Sequence, residues 1–205
     1  MRRTAAETRV HVLDVARDLF YWNGIRATGV DEVAAKAGVA PTTLYRLFAS
    51  KDELVGAYVE RVDQDFRELV AEAVAAAGPD PREQILAIFD KVFAQFETGE
   101  SRGCPESFTL AEFPDPDLPA HRNAVAGKSW IRQRLGELVG QLGVGRPAEL
   151  ADRLMLVLEG LLAAGQALGP DGPAKQARCL AEAILASAAE GSSRPSAPQG
   201  LPHGA

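Results

Sequence analysis

Five polar side chains lie within ten residues of one another: Thr42, Thr43, Tyr45, Arg46 and Lys51. Leu44 and Phe48, four apart, form the inner stripe of the helix that carries the first four. These side chains therefore have no packing reason and are left pointing elsewhere. Arg46 supplies a planar fork of donors that matches guanine O6 and N7, and Thr42 and Thr43 add hydroxyls that can touch a groove. Catalytic chemistry has no comparable cluster. There is no nucleophile elbow, no Gly-rich phosphate loop and no metal-ligand cluster, and His11, His121 and His203 are scattered. Cys104 and Cys179 cannot make a disulfide framework or a four-thiolate zinc site. No cofactor, metal or enzymatic activity is expected.

These residues need a rigid support, and the sequence describes one. Val30 to Ala37 reads as a short helix with Gly29 at its N-cap and Asp31 and Glu32 in the first turn, where the helix dipole favours anions. Gly38 supplies the positive φ that stops it abruptly. Pro41 to Phe48 reads as a second helix, with proline pre-organised at its first position. The joint, Gly38-Val39-Ala40, has helix-turn-helix spacing. A projecting helix about 10–12 Å wide fits a DNA major groove about 12 Å wide.

Glu7 to Trp22 precedes this unit as an amphipathic helix, with Val12, Leu13, Ala16, Leu19 and Phe20 on one face. Ser50-Lys51-Asp52-Glu53 is a capping box that opens a long helix running to Ala77. Further helices are expected over Pro81–Thr98, Cys104–Phe113, Leu118–Leu142 with an interruption near Gly127, Pro147–Leu168 and Ala174–Ala189. The fold class is all-α, about nine helices. Residues 1–50 form a helix-turn-helix domain, 51–189 a helical ligand-binding and dimerisation domain, and 190–205, rich in Ser, Pro and Gly, a disordered tail.

With 205 residues, 46 % of them hydrophobic, the chain can bury a sizeable core. The net charge of −6 is unevenly spread: residues 1–55 carry eight basic and seven acidic side chains, the remainder 14 and 21. A nucleic-acid partner for the N-terminal quarter is compatible with that distribution. Gly160 to Pro170 is uncharged but falls short of the ~18 residues a membrane span needs. Met1-Arg2-Arg3-Thr4 is followed by charged residues instead of an apolar segment, so a signal peptide is not expected and a cytoplasmic location is.

From about residue 9 to 56 the chain resembles the tetracycline-repressor (TetR) family of bacterial transcriptional regulators. The resemblance lies in Leu19-Phe20, Gly24, Thr28, Val30, Val33-Ala34, Ala37-Gly38-Val39, Thr43-Leu44-Tyr45, Phe48 and Lys51-Asp52-Glu53-Leu54. It implies a homodimer bound to double-stranded operator DNA and released by a small apolar or amphipathic effector. The DNA-contact set it implies is Thr28, Pro41, Thr42, Thr43, Tyr45, Arg46 and Lys51. Tyr45, Lys51 and Thr28 serve phosphates in that set, and Thr42, Thr43 and Arg46 serve the groove. Arg2, Arg3 and Arg9 would form an arm along the backbone or minor groove. Gly29 and Ala40 depart from the Ser or Thr caps often found in the family. Arg102 to Pro105 and Ala111 to Asp117 look like stretches of one TetR subgroup.

The second half has no sharp motif. Phe89, Phe93 and Phe96, at i, i+4 and i+7, fit either a core stripe or a pocket wall, as do Phe108, Phe113, Trp130 and Met155; Phe89, Phe93, Phe96, Phe108, Trp130 and Met155 are the candidate ligand contacts. Leu150 to Leu168 is apolar on nearly every side, and the next helix is rich in alanine. Together they suit a four-helix dimer interface. His121 reads as a surface histidine. Cys104, between Gly103 and Pro105 and after Arg102, is the one cysteine whose setting would lower its pKa. Control by Cys104 oxidation or by a protein partner is the alternative to a small effector.

Overall fold

The computed structural model describes residues 3–192, which contain nine α-helices and no strand. In chain order they are α1 (Ala5–Asn23), α2 (Val30–Ala37), α3 (Pro41–Leu47), α4 (Lys51–Ala76), α5 (Pro81–Glu97), α6 (Pro105–Glu112), α7 (Pro119–Gly140), α8 (Pro147–Leu168) and α9 (Ala177–Ser192). Most of the tail expected over 190–205 lies outside the described residues, but α9 extends to Ser192 and takes in its first positions. Among the described residues no helix is long and apolar enough to cross a membrane, and no group of three or more His, Cys, Asp or Glu side chains could hold a metal ion.

Local chemistry sets the helix ends. α1 begins at a capping box: the Glu7 N–H donates to Thr4 Oγ1 at 3.2 Å, and the Thr4 N–H donates to Glu7 Oε2 at 2.7 Å. Hydrogen bonding by the Thr4 backbone N–H, and then by its side chain, holds the Glu7 carboxyl below its ordinary pKa. Because α1 starts at Ala5, Arg9 belongs to it, and its guanidinium lies 4.6 Å from the Phe48 ring centroid. Of the other two arginines of the expected arm, Arg3 precedes the helix and Arg2 lies outside the described residues. At α4 the Ser50 hydroxyl accepts from the Glu53 N–H, but Glu53 reaches back one residue further than a capping box requires, to the Ala49 N–H at 2.8 Å. Gly38 takes the left-handed conformation (φ 66°, ψ 34°) that ends α2, as its position in the sequence demands.

Two hydrophobic clusters organise the chain. The first joins α1, α2 and α3 to the N-terminal half of α4, through Phe20, Val33, Leu44, Phe48, Leu54 and Tyr58. Phe20 and Tyr58 meet edge to face at 5.4 Å. This cluster continues along α4 to Val62 and also takes in Phe113, Ala120 and Ala124, so a boundary after residue 50 would cut through it. The second cluster packs the C-terminal half of α4 with α5, α7, α8 and α9. α4 is the shared beam of both.

Two expectations about the C-terminal half need correction. α7 is continuous through Gly127. Glycine is there because a Cβ at that position would lie 3.1 Å from Asp63 Oδ1 and 3.5 Å from Glu106 Oε1. In the single chain Leu156 on α8 is 72 % exposed and Leu180 on α9 is 52 % exposed. The last helix expected from Ala174 begins as a turn of 3₁₀ helix over Pro173–Gln176.

Candidate nucleic-acid interface and internal cavity

The α2–α3 unit presents a polar surface on an apolar base. Leu44 and Phe48 are fully buried beneath α3, Thr43 is half-buried, and Pro41, Thr42, Tyr45 and Arg46 are exposed. Tyr45 is 51 % exposed, so about half of it is open to solvent. Among the described residues the side chains of Thr42, Thr43, Tyr45 and Arg46 make no hydrogen bond or ion pair. α3 also begins without a side-chain cap, because Ala40 has no acceptor to offer. A shallow groove beside α3 is bordered by Arg46 and Thr43 on one side and by Arg3 and Thr8 on the other. Lys51, at the first position of α4, is half-buried, and its Nζ donates weakly to the Arg26 carbonyl at 3.4 Å.

Thr28 does not join this surface. It is 1 % exposed, and its hydroxyl donates to the Gly24 carbonyl at 2.8 Å. A backbone carbonyl in the α1–α2 connection thus claims the group that a phosphate was expected to take.

The six expected ligand contacts also fall elsewhere. Phe89 and Phe96 are buried in the second cluster, and Phe93, Trp130 and Met155 pack against it. Trp130 meets Phe66 edge to face at 6.5 Å and carries the Arg67 guanidinium at 4.6 Å. Phe108 lies beneath the Arg102 guanidinium at 4.8 Å. None of the six lines the cavity between the two clusters, whose volume of about 430 Å³ is in the range of small-molecule sites.

That cavity sits where the two clusters meet. Tyr21 and Trp22 of α1, Phe66 and Leu69 of α4, and Ile131 and Leu158 of α7 and α8 give it apolar walls. Its polar groups are Arg17, Asp65, Cys104, Glu106, Lys128 and Glu159, with Asp18 and Glu100 at the edge. Arg17 pairs with Asp65 at 3.0 Å, and Lys128 with Glu159 at 2.6 Å. The sequence carried a faint signal of these residues, since Glu159 is the one charged side chain in the otherwise apolar second half of α8.

Cys104 is buried at the head of α6. Its thiol donates to Glu106 Oε2 at 3.0 Å, accepts from the Ser107 N–H, and lies 3.0 Å from Lys128 Nζ. Burial, with the Glu106 charge adding to it, pushes the Cys104 pKa up to about 11, and Lys128 only partly offsets this. The lowered pKa expected from its flanking sequence is therefore reversed. Burial works against the Lys128 charge as well, but its contacts keep its pKa above the ordinary lysine value. With the thiol protonated at neutral pH, its ionic partner is Glu159.

A set of bonds ties this cavity to the helix-turn-helix unit. Tyr21 Oη donates to the Gly103 carbonyl at 2.9 Å and accepts from the Arg102 N–H at 2.7 Å. Arg102 in turn donates to the Trp22 carbonyl at 2.7 Å. The Glu112 carboxylate accepts from the N–H groups of Ile25 and Arg26 at 3.2 and 2.6 Å, just where α1 hands over to α2. His121 is no free surface histidine, because its Nδ1 meets the Phe113 carbonyl at 2.9 Å. Arg102 to Pro105 and Ala111 to Asp117, the two stretches that stood out in the sequence, supply most of these bonds.

Comparison with known proteins places these features in context. The family model described as bacterial regulatory proteins, tetR family, matches residues 12–58. The HTH-type transcriptional regulator AcrR of Shigella flexneri is 34 % identical over 101 residues, 49 % of this chain and 47 % of AcrR. The HTH-type transcriptional repressor KstR2 of Mycolicibacterium smegmatis is 28 % identical over 135 residues, 62 % of each chain. The match thus spans about half the length of the first relative and less than two thirds of the second. The crystal structure of SCO4454, a TetR-family transcriptional regulator from Streptomyces coelicolor, superimposes with a TM-score of 0.83 at 31 % identity, covering 89 % of this chain and 96 % of that one.

Proposed function

The chain belongs to the tetR family of bacterial regulatory proteins, and we propose that it is a sequence-specific DNA-binding transcriptional regulator and not an enzyme: a repressor released from a palindromic operator by a small molecule. The observation that carries this reading is the outward face of α3, where Thr42, Tyr45 and Arg46 stand exposed on a helix anchored by Leu44 and Phe48. Arg46, Thr42 and Thr43 read the major groove. Tyr45, Lys51 and the Pro41 end of α3 set the register on phosphates.

A two-fold dimer completes the reader. Leu156 and Leu180 are open to solvent in the single chain, beside exposed Gly160, Ala163 and Ala183. A second copy's α8 and α9 would cover that face as a four-helix bundle. Two α3 helices then enter successive major grooves about 34–36 Å apart. Residues up to about 50 with the first half of α4 serve the DNA, and the remainder serves the ligand and the partner. A sedimentation mass of one subunit at micromolar concentration would remove the dimer from this account.

The cavity supports control by a small molecule, because α1 of the DNA-reading unit forms one of its walls. An effector that binds the two spacings of the dimer with different affinity shifts the equilibrium between them, a coupling typically of ~1–3 kcal/mol. Control by oxidation of Cys104 loses support, since a thiol held near pKa 11 is a poor nucleophile at neutral pH.

Selection of bound duplexes from a random library at fixed salt tests the function. Enrichment of an inverted repeat is the expected outcome. A folded dimer that enriches nothing, with or without added small molecules, would overturn the reading.

A further inference from the structure

The charges around the cavity do not balance. Five carboxylates line it against two cations, Arg17 and Lys128. Both cations are already committed: Arg17 to Asp65 and Asp18, Lys128 to Glu159. Among the described residues Glu100 and Glu106 make no ion pair, and Lys128 reaches Glu106 only through the Cys104 sulfur, 3.0 Å from each. Arg102 is not part of the wall, being stacked on Phe108 and bonded to the Trp22 carbonyl.

Glu106 is the informative one. It is 7 % exposed, on the first turn of α6, yet it lines the cavity. Its Oε2 accepts the Cys104 thiol, a weak donor, and its Oε1 has no hydrogen-bond partner among the described residues. That oxygen lies 3.5 Å from the place a Cβ on Gly127 would occupy. Asp63 Oδ1, near the same Cβ position, is also buried without a hydrogen-bond partner, but Asp63 pairs with Arg67 through its other oxygen at 2.8 Å and does not line the cavity. A buried carboxylate left without a cation or strong donors is costly, and a molecule bringing positive charge into the cavity relieves that cost. Tyr21, Trp22 and Phe66 line the same space and offer aromatic and apolar surface to such a molecule, with the Arg102 guanidinium already 5.9 Å from the Tyr21 ring centroid.

From this geometry we infer that the cavity selects organic cations: amphipathic molecules with an ammonium or comparable positive group directed at Glu106 and an apolar body against Tyr21, Trp22 and Phe66. The inference rests on the cavity being an effector site and adds the chemical class of the effector. Neutral hydrocarbons lack the charge that Glu106 requires. Carboxylates would add negative charge to a wall that already has an excess of it.

Calorimetry on the full chain with three probes of one skeleton tests this: phenylbutyltrimethylammonium, phenylbutanol and phenylbutyrate. The cation is expected to bind about tenfold or more tighter than the alcohol, with the carboxylate weakest. Glu106→Gln, nearly isosteric, is expected to weaken the cation by about tenfold and leave the alcohol unchanged. Equal affinities, a preference for the carboxylate, no binding by any probe, or cation binding indifferent to Glu106→Gln would overturn the inference. The probe series on the unaltered protein decides it even where the variant fails to fold. Operator affinity measured alongside separates this inference from the broader reading. A cation that binds without releasing DNA preserves the ligand class and sinks effector control; a carboxylate that binds and releases DNA does the reverse.

Discussion

On α3, Thr42, Tyr45 and Arg46 stand in water with no protein partner among the described residues, whereas in the cavity Arg17, Lys128 and Cys104 each touch another polar side chain. The two surfaces were desolvated at different times. α3 keeps its hydration in the free chain, and DNA replaces that water and releases counterions on binding. The buried cavity groups Cys104 and Glu106 and the half-buried Lys128 lost most of their water when the chain folded, and an internal partner offsets that loss. Such pairing makes Glu106, which forms no direct ion pair among the described residues, conspicuous in the cavity. On α3 the absence of partners is the ordinary state of a surface waiting for a polyanion.

The sharpest way to break this comparison is to ask whether the cavity is really where the polar groups are. Phe89 has no exposed surface and lies in the second cluster. Phe89→Ala should cost about 3–5 kcal/mol of stability, read from denaturant unfolding, because it leaves a hole in a packed core. A loss below about 1 kcal/mol, together with a changed ligand affinity, would return Phe89 to a pocket wall. On the α3 side the largest effect belongs to Arg46. Arg46→Ala should flatten the preference for guanine at one position of each half-site by about 1–3 kcal/mol, measured by competition between single-base variants of the selected operator. Its stability should scarcely change, since the side chain is exposed. Uniform weakening on all sequences would move Arg46 to the phosphates.

The contrast also explains what could be read from the sequence. The α2–α3 unit is specified by neighbours in the chain: Gly38 stops one helix, Pro41 starts the next, and Leu44 with Phe48 turns the polar residues outward. The cap at Thr4 and Glu7 is equally local, with the residue spacing of Ser50 and Glu53, but the apolar periodicity alone starts α1 at Glu7 and passes over it. The cavity is assembled from α1, α4, α5, α6, α7 and α8, so no window of sequence contains it. Aromatic residues were a poor guide because a helical stripe of phenylalanines looks the same whether its far side is packed or hollow. Phe89 and Phe96 turn to the packed side. Thr28 was misread for a related reason: its fate depended on a carbonyl at Gly24 that only the folded connection exposes to it.

Thr28 therefore gives a smaller, cleaner test. Thr28→Val keeps the shape and removes the hydroxyl that donates to Gly24 at 2.8 Å. It should cost about 1 kcal/mol of stability, because the Gly24 carbonyl retains only the Thr28 N–H. Its DNA affinity should depend on salt as steeply as the unaltered protein's. A shallower salt dependence would mean that the side chain reaches a phosphate after all.

Lys51 is the counterpart on the open surface and the smallest effect in stability. Its Nζ contact with the Arg26 carbonyl is long, 3.4 Å, and exposed, so Lys51→Ala should change stability by less than about 0.5 kcal/mol. Its effect belongs to binding. A lysine that neutralises one phosphate contributes about 0.9 to the slope of log K against log salt concentration. Each subunit of a dimer would lose that amount, so the slope should become shallower by about two units while the ranking of operator variants is preserved. Lys51→Arg should restore the slope, because the requirement is for charge and reach. An unchanged slope with preserved affinity would leave Lys51 as a tie between α4 and the Arg26 carbonyl. The phosphate contacts would then have to come from Tyr45 and the backbone at the start of α3.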